Sequence, residues 1–362
     1  MRAELAGLAC LVAFAACRKD ECNDHPPEPE LGPLAPLAGF EAHVVVQGLI
    51  QPTQLQFDSR GRLFILEGAP DALKAVRLFS IDFVQGGTFV IDTPGESTGL
   101  FVFAAGERVL VASRSRIDVM VAAPGGGYDN PTPWLTGLPS GPEHTNNGLA
   151  LGPDGFIYFG AGSSCDVCDE PNPIAATILR APALASAPVA EVFARGLRNA
   201  YDVAFTSDGQ LLATDNGPEC CVGKVPGCSG PGADRLVQVA PGAALGWPDA
   251  YRGKASLPAP LVPLPVHGGA TGFAVAHAPG CDDALYLTLW GSEYGVERGR
   301  RVLRARLTQD LAGKWIAGEA EDVLGPGGLA HPIDVTQGAD GALYVLDYGG
   351  SVVRLASLTG CP

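Results

Sequence analysis

Leu149-Ala-Leu-Gly-Pro-Asp-Gly-Phe-Ile-Tyr-Phe159 is an apolar run, a Pro-Asp-Gly turn and a second apolar run. Gly155 suits the positive φ of a tight turn, and the flanks put alternate side chains into a core. The stretch therefore reads as a β-hairpin. The pattern returns at residues 55–66, 203–213 and 335–345, and in degenerate form at 99–113 and 272–289. That makes six units between residues 52 and 355. The Asp154 and Asp208 turns are 54 residues apart, about the length of one four-stranded blade and its loop. Repeats that each expose an apolar face gain by packing face to face around an axis. The reading is all-β, a single six-bladed β-propeller over residues 40–362, its repeats ending near residue 358. A period of two and dense Gly/Pro punctuation disfavour a helical repeat.

Composition agrees. With 48 Gly, 31 Pro and 17% charged residues, the chain has many turns and few long amphipathic helices. A net charge of −15 disfavours nucleic acid, which needs a concentrated basic surface. Residues 1–17 read as an export segment: 5–16 are apolar and too short to span a bilayer. Phe14-Ala-Ala-Cys17 resembles a lipoprotein cleavage site, which would leave Cys17 lipidated in a bacterial cell envelope. An ordinary secretory signal is the alternative. Residues 18–39, charged and then Pro-rich, read as a tether.

Ten cysteines include Cys10 in the leader and Cys17. The other eight are Cys22, Cys165, Cys168, Cys220, Cys221, Cys228, Cys281 and Cys361. An even count in an exported chain predicts disulfides, with the pairing left open. The rival is a metal site built from Cys165-x-x-Cys168 and the later cluster, but no histidine stands at ligand spacing from either.

Four segments carry a family resemblance. They are His144-Thr-Asn-Asn-Gly-Leu-Ala-Leu-Gly-Pro-Asp-Gly155, running on to Ser163-Ser-Cys-Asp-Val-Cys168, and then Ala194-Arg-Gly-Leu-Arg-Asn-Ala200. Next comes Thr214-Asp-Asn-Gly-Pro218, with Asp234-Arg-Leu236 and Gly246-Trp-Pro248 downstream. Last are Leu289-Trp-Gly-Ser292 and Pro332-Ile-Asp-Val335. In order and spacing they resemble the pyrroloquinoline quinone-dependent glucose/sorbosone dehydrogenases over most of residues 140–355. The first two blades resemble that family weakly.

The resemblance implies an enzyme that oxidises the anomeric hydroxyl of an aldose, or a related sugar aldehyde. It implies pyrroloquinoline quinone and calcium as cofactors, and leaves the electron acceptor unspecified. His144 matches the family's general base, a residue whose pKa suits proton removal near neutrality. Arg198 and Asn199 match residues that contact the quinone, and Arg198 could also polarise a quinone oxygen. Gly217 and Pro218 match the carbonyls that hold calcium, with Asp215 and Glu219 nearby. Arg298 falls in the loop that carries top-face residues and is the candidate for a further cofactor contact. Each has a plainer reading: a loop histidine, an arginine capping carbonyls, an Asn-Gly turn, a solvated edge.

The departures are specific. Ser163 stands where glucose dehydrogenases orient the histidine with aspartate. His331 and Ile333 replace two arginines, Asn147 replaces a common arginine, and Gly95-Glu-Ser-Thr-Gly-Leu100 lacks a glutamine. The cofactor has three carboxylates and needs cationic partners in a dry pocket. The alternative is therefore a catalytically degenerate propeller that binds carbohydrate or an exported protein. A third reading, a calcium-dependent lactonase, would need Asn146, Asn199, Asp215 and Asn216 to converge.

Overall fold

Each of the six hairpins grows into an antiparallel sheet, and the sheets are the blades of a propeller. The computed structural model describes residues 31–68, 74–91, 96–139, 141, 143–219, 232–291 and 299–361. Cys17, Cys22, Cys220, Cys221, Cys228 and Arg298 lie outside the described residues. Twenty-five strands, β1 to β25 in chain order, are present among the described residues.

The hairpins supply the two innermost strands of every blade. The inner strands are β2 (Pro52–Phe57), β6 (Ser97–Val102), β10 (Asn146–Leu151), β14 (Val203–Phe205), β18 (Ala270–Ala276) and β23 (Pro332–Gln337). Their partners are β3 (Leu63–Glu67), β7 (Arg108–Ser113), β11 (Phe156–Ala161), β15 (Leu211–Asp215), β19 (Ala284–Leu289) and β24 (Leu343–Asp347). Both degenerate repeats are true blades. Arg304 and Arg306 lie in β20 (Arg301–Gln309). The ring closes through β1 (Phe40–Gln47), which pairs with β25 (Ser351–Ser357) as the outermost strand of the last blade.

One detail departs from a simple alternating pattern. Strands β3, β15, β19 and β24 are buried at every position, because each blade is covered on both faces by its neighbours. The core is accordingly divided among the blade interfaces. Leu110, Trp134, Phe159 and Leu179 fill the gap between the second and third blades, and Tyr286, Val302, Val345 and Val353 that between the fifth and sixth.

The inner strands carry register shifts near their starts, at Pro52/Gln54, Ser97/Gly99, Asn146/Leu149, Ala270/Phe273 and Pro332/Asp334. A bulge leaves a backbone N–H without a ladder partner. Three of these donors are taken by a side chain from the preceding blade. Asp334 Oδ2 accepts from Leu55 N at 2.9 Å, Asp202 Oδ2 accepts from Phe273 N at 3.1 Å, and Gln54 Oε1 accepts from Leu100 N. Gly148 and Gly272 make room for these acids, since a Cβ on either would collide with Asp202 or Asp334. The two carboxyls are buried in the shaft. Burial, then the charge of Asp202, pushes Asp334 well above the usual carboxylate range; burial pushes Asp202 up to about 7. On the far side of this plug a cavity of about 430 Å³ opens between the ends of the inner strands.

Candidate functional site

All inner strands run in one direction along the shaft, so the residues just before them and just after their partner strands share one face. His144 precedes β10 and Arg198-Asn199 precede β14, while Ser163 follows β11 and Gly217-Pro218 follow β15. The third and fourth blades thus bring the expected site residues together.

The histidine is held by two oxygens. Ser163 O lies 3.1 Å and Ser163 Oγ 3.0 Å from His144 Nδ1. The serine hydroxyl donates its own proton to Cys165 O at 2.7 Å. Both atoms facing Nδ1 are therefore acceptors, and Nδ1 carries the ring proton. In the neutral imidazole the lone pair then lies on Nε2. Gly162 lets the ring sit this close, since a Cβ there would meet His144 Cβ.

Ser163 also ties the histidine to the arginine, donating its N–H to Arg198 O at 2.8 Å. The Arg198 side chain is 4% exposed. Its Nε lies 2.9 Å from Asp166 Oδ1 but has no aligned hydrogen-bond acceptor among the described residues. Its Nη2 lies 3.6 Å from Glu219 Oε1. Asp166 was not singled out in the sequence, although it sits between Cys165 and Cys168. Those two form a disulfide, so their sulfurs are not thiolate ligands for a metal. A second disulfide joins Cys281 and Cys361.

Asn199 belongs to a chain of amides along the rim. Asn147 Nδ2 donates to Asn199 Oδ1 at 2.7 Å, Asn199 Nδ2 to Asn216 Oδ1 at 3.0 Å, and Asn216 Nδ2 to Ala270 O at 2.6 Å. These amides brace the third, fourth and fifth blades against one another, and each oxygen named already accepts a hydrogen bond. Asp215 is committed beneath them, accepting from Asn199 N at 3.0 Å and from Arg235 Nη2 at 2.7 Å. Both members of that ion pair are buried.

Gly217 N donates to Asp234 Oδ1 at 2.9 Å, and Pro218 O accepts from Gly232 N at 2.9 Å. Asp234 also takes Ala270 N at 3.0 Å. Its burial raises it to about 6 against the pull of these N–H donors. The carboxylate braces the turn at Gly217 and Pro218.

The fifth and sixth blades present a different surface. Trp290 stacks on His331 with ring centroids 3.8 Å apart and 19° between planes, and Tyr348 meets Trp290 edge-on at 6.2 Å. His331 Nδ1 lies 2.9 Å from Trp290 O, and Ile333 is buried. Tyr201 donates to Thr53 O at 3.2 Å, and burial, then Asp334, Glu96 and Asp202, drives its phenol well upward. Where the resemblance would put two arginines, the rim is aromatic.

No family model matches the chain, and no curated protein matches it. Solved structures do. The chain is similar to the holo form of the pyranose dehydrogenase PQQ domain from Coprinopsis cinerea, with a TM-score of 0.71 and 16% identity over 91% of this chain and 98% of that one. It is similar to the PQQ-bound aldose sugar dehydrogenase from Streptomyces coelicolor, with a TM-score of 0.65 and 22% identity over 89% and 99%. It is also similar to an oxidoreductase (glucose dehydrogenase) of Thermus thermophilus, with a TM-score of 0.65 and 24% identity over 88% and 100%. The chain shares the fold of these dehydrogenases from end to end of theirs.

Proposed function

We propose that the chain is a sugar oxidoreductase that oxidises an aldose to its lactone, the anomeric hydroxyl giving up a proton and the anomeric carbon a hydride, with pyrroloquinoline quinone and calcium bound in the basin between the third and fourth blades. The observation that carries this is the His144 tautomer: Nδ1 is locked as a donor by Ser163, which leaves the Nε2 lone pair as a base.

The residues on this side of the basin fit the redox end of the cofactor. Arg198 is a buried guanidinium whose Nε lies 2.9 Å from Asp166 Oδ1, and Gly217 and Pro218 carry backbone carbonyls, a donor type that calcium takes. Bound there, the quinone would supply the hydride acceptor and calcium the positive charge beside its oxygen. His144 would take the hydroxyl proton at Nε2, and Ser163 would stabilise the resulting imidazolium through its two oxygens. Arg198 would balance negative charge that develops beside it. Arg298 remains the proposed further cation. The two disulfides support export to an oxidising compartment, with a lipid on Cys17 as the proposed anchor.

One observation favours a second reading. The Trp290–His331 stack and buried Ile333 offer no cation to a carboxylate, whereas aromatic faces suit a neutral sugar ring. On that reading the propeller binds carbohydrate without oxidising it. Isothermal titration with the quinone and calcium, followed by dye-linked oxidation of aldoses, separates the two. Micromolar binding and turnover that disappears in His144→Ala support the enzyme. Absence of quinone binding, with sugar binding retained, supports the second reading.

A further inference from the structure

We propose that Glu219 is a built-in, displaceable carboxylate on Arg198, and that a ligand bearing a carboxylate group binds by exchanging with it. This rests on the functional reading above in that Arg198 must face the ligand basin.

The two acids on Arg198 are held very differently. Asp166 is fixed: its Oδ1 accepts Glu219 N at 2.9 Å, its backbone O accepts Trp247 Nε1 at 2.9 Å, and the Cys165–Cys168 disulfide spans it. It lies 2.9 Å from the guanidinium and is 24% exposed. The Glu219 side chain is loose, standing 3.6 Å from Nη2 and 46% exposed. One guanidinium thus faces two carboxylates, and the second has neither hydrogen-bond distance nor burial.

The buried end is already occupied by Asp166 Oδ1, 2.9 Å from Nε, so an incoming carboxylate meets the guanidinium on the Nη2 side, where Glu219 stands. A ligand carboxylate that displaces Glu219 could address the planar fork, which the distant Glu219 oxygen does not. Little is lost in the exchange, because a half-exposed ion pair contributes little. Asp166 and the disulfide hold the arginine in place during it.

The test uses the full chain in calcium-free buffer. Isothermal titration with benzene-1,3-dicarboxylate, a redox-inert planar dianion, is run on wild type, Glu219→Gln and Glu219→Ala. Both variants alter a half-exposed side chain, and a thermal melt checks their fold. We expect both to bind about two- to fivefold more tightly than wild type, as removal of one weakly held competing charge predicts. Arg198→Gln should bind at least tenfold more weakly. If it does not fold, Arg198→Lys should show the same loss through its missing fork. Equal or weaker binding in both Glu219 variants, or no binding in any of the three proteins, overturns the exchange. A parallel titration with pyrroloquinoline quinone isolates the premise. Dicarboxylate binding that tightens as expected, with no quinone binding, keeps the exchange and ends the redox reading. Quinone binding with a dicarboxylate response indifferent to Glu219 does the reverse.

Discussion

Asp202→Asn should flatten the dependence of stability on pH between pH 5 and pH 8. Asp202 is buried in the shaft, where desolvation raises it from 3.8 to about 7, against the N–H groups of Phe273 and Val203. The folded state therefore holds the proton more tightly than the unfolded chain does. This contribution is fully present below pH 3.8 and is lost as pH rises through 7. Moving from pH 8 to pH 5 then stabilises the wild type by about 2.5 kcal/mol through this group. In thermal melts of a domain this size that corresponds to roughly 4 °C. The asparagine side chain has no proton to bind, so the variant should lose this contribution, while Asp334 and Asp234, which burial raises on their own account, keep the remainder. At pH 5, where the wild-type carboxyl is protonated, the variant should be less stable, because one backbone N–H loses its acceptor. The readout is accordingly how far the difference in Tm between pH 5 and pH 8 shrinks from wild type to variant, a comparison in which the unaltered groups cancel. A wild type that melts higher at pH 8 than at pH 5, or a variant with an unchanged difference, would refute the reasoning.

Ser163→Ala should lower aldose turnover about three- to tenfold with little change in KM, because the lost Oγ is one of two acceptors fixing Nδ1; steady-state kinetics reads this. Cys281→Ser should cost about 4 kcal/mol, since that disulfide ties residues 80 apart in sequence near the chain end; urea unfolding measures it. Trp290→Ala should weaken sugar binding by about 1 kcal/mol without altering quinone affinity, a comparison made by titration calorimetry. Asp215→Asn should destabilise the fold by about 3 kcal/mol, because Arg235 would keep a buried charge without its partner; denaturant midpoints test this.

The hairpin repeats were legible because turn chemistry and strand period are local. Gly155, Gly209 and Gly341 all take positive φ where the Asp-Gly pairs stand, and six repeats become six blades. His144 and the Arg198-Asn199 pair were singled out by the family resemblance, and both stand just ahead of inner strands. The shaft acids could have been found from the repeat: Asp202 and Asp334 each stand six residues before a turn aspartate, where the third blade has Gly148.

Other features depended on atoms far apart in sequence. Asp166 and Glu219 meet on Arg198 across 53 residues, and Trp290 meets His331 across 41. Whether Asn199 reaches a ligand or a neighbouring amide depends on Asn147 and Asn216, which no spacing rule places. The chain's own letters determined the toroid, its six units and the face on which chemistry could gather, because these follow from backbone turns and side-chain period. Only the tertiary structure decided which charges neutralise one another on that face, because electrostatic partnership is set by distance and burial in three dimensions.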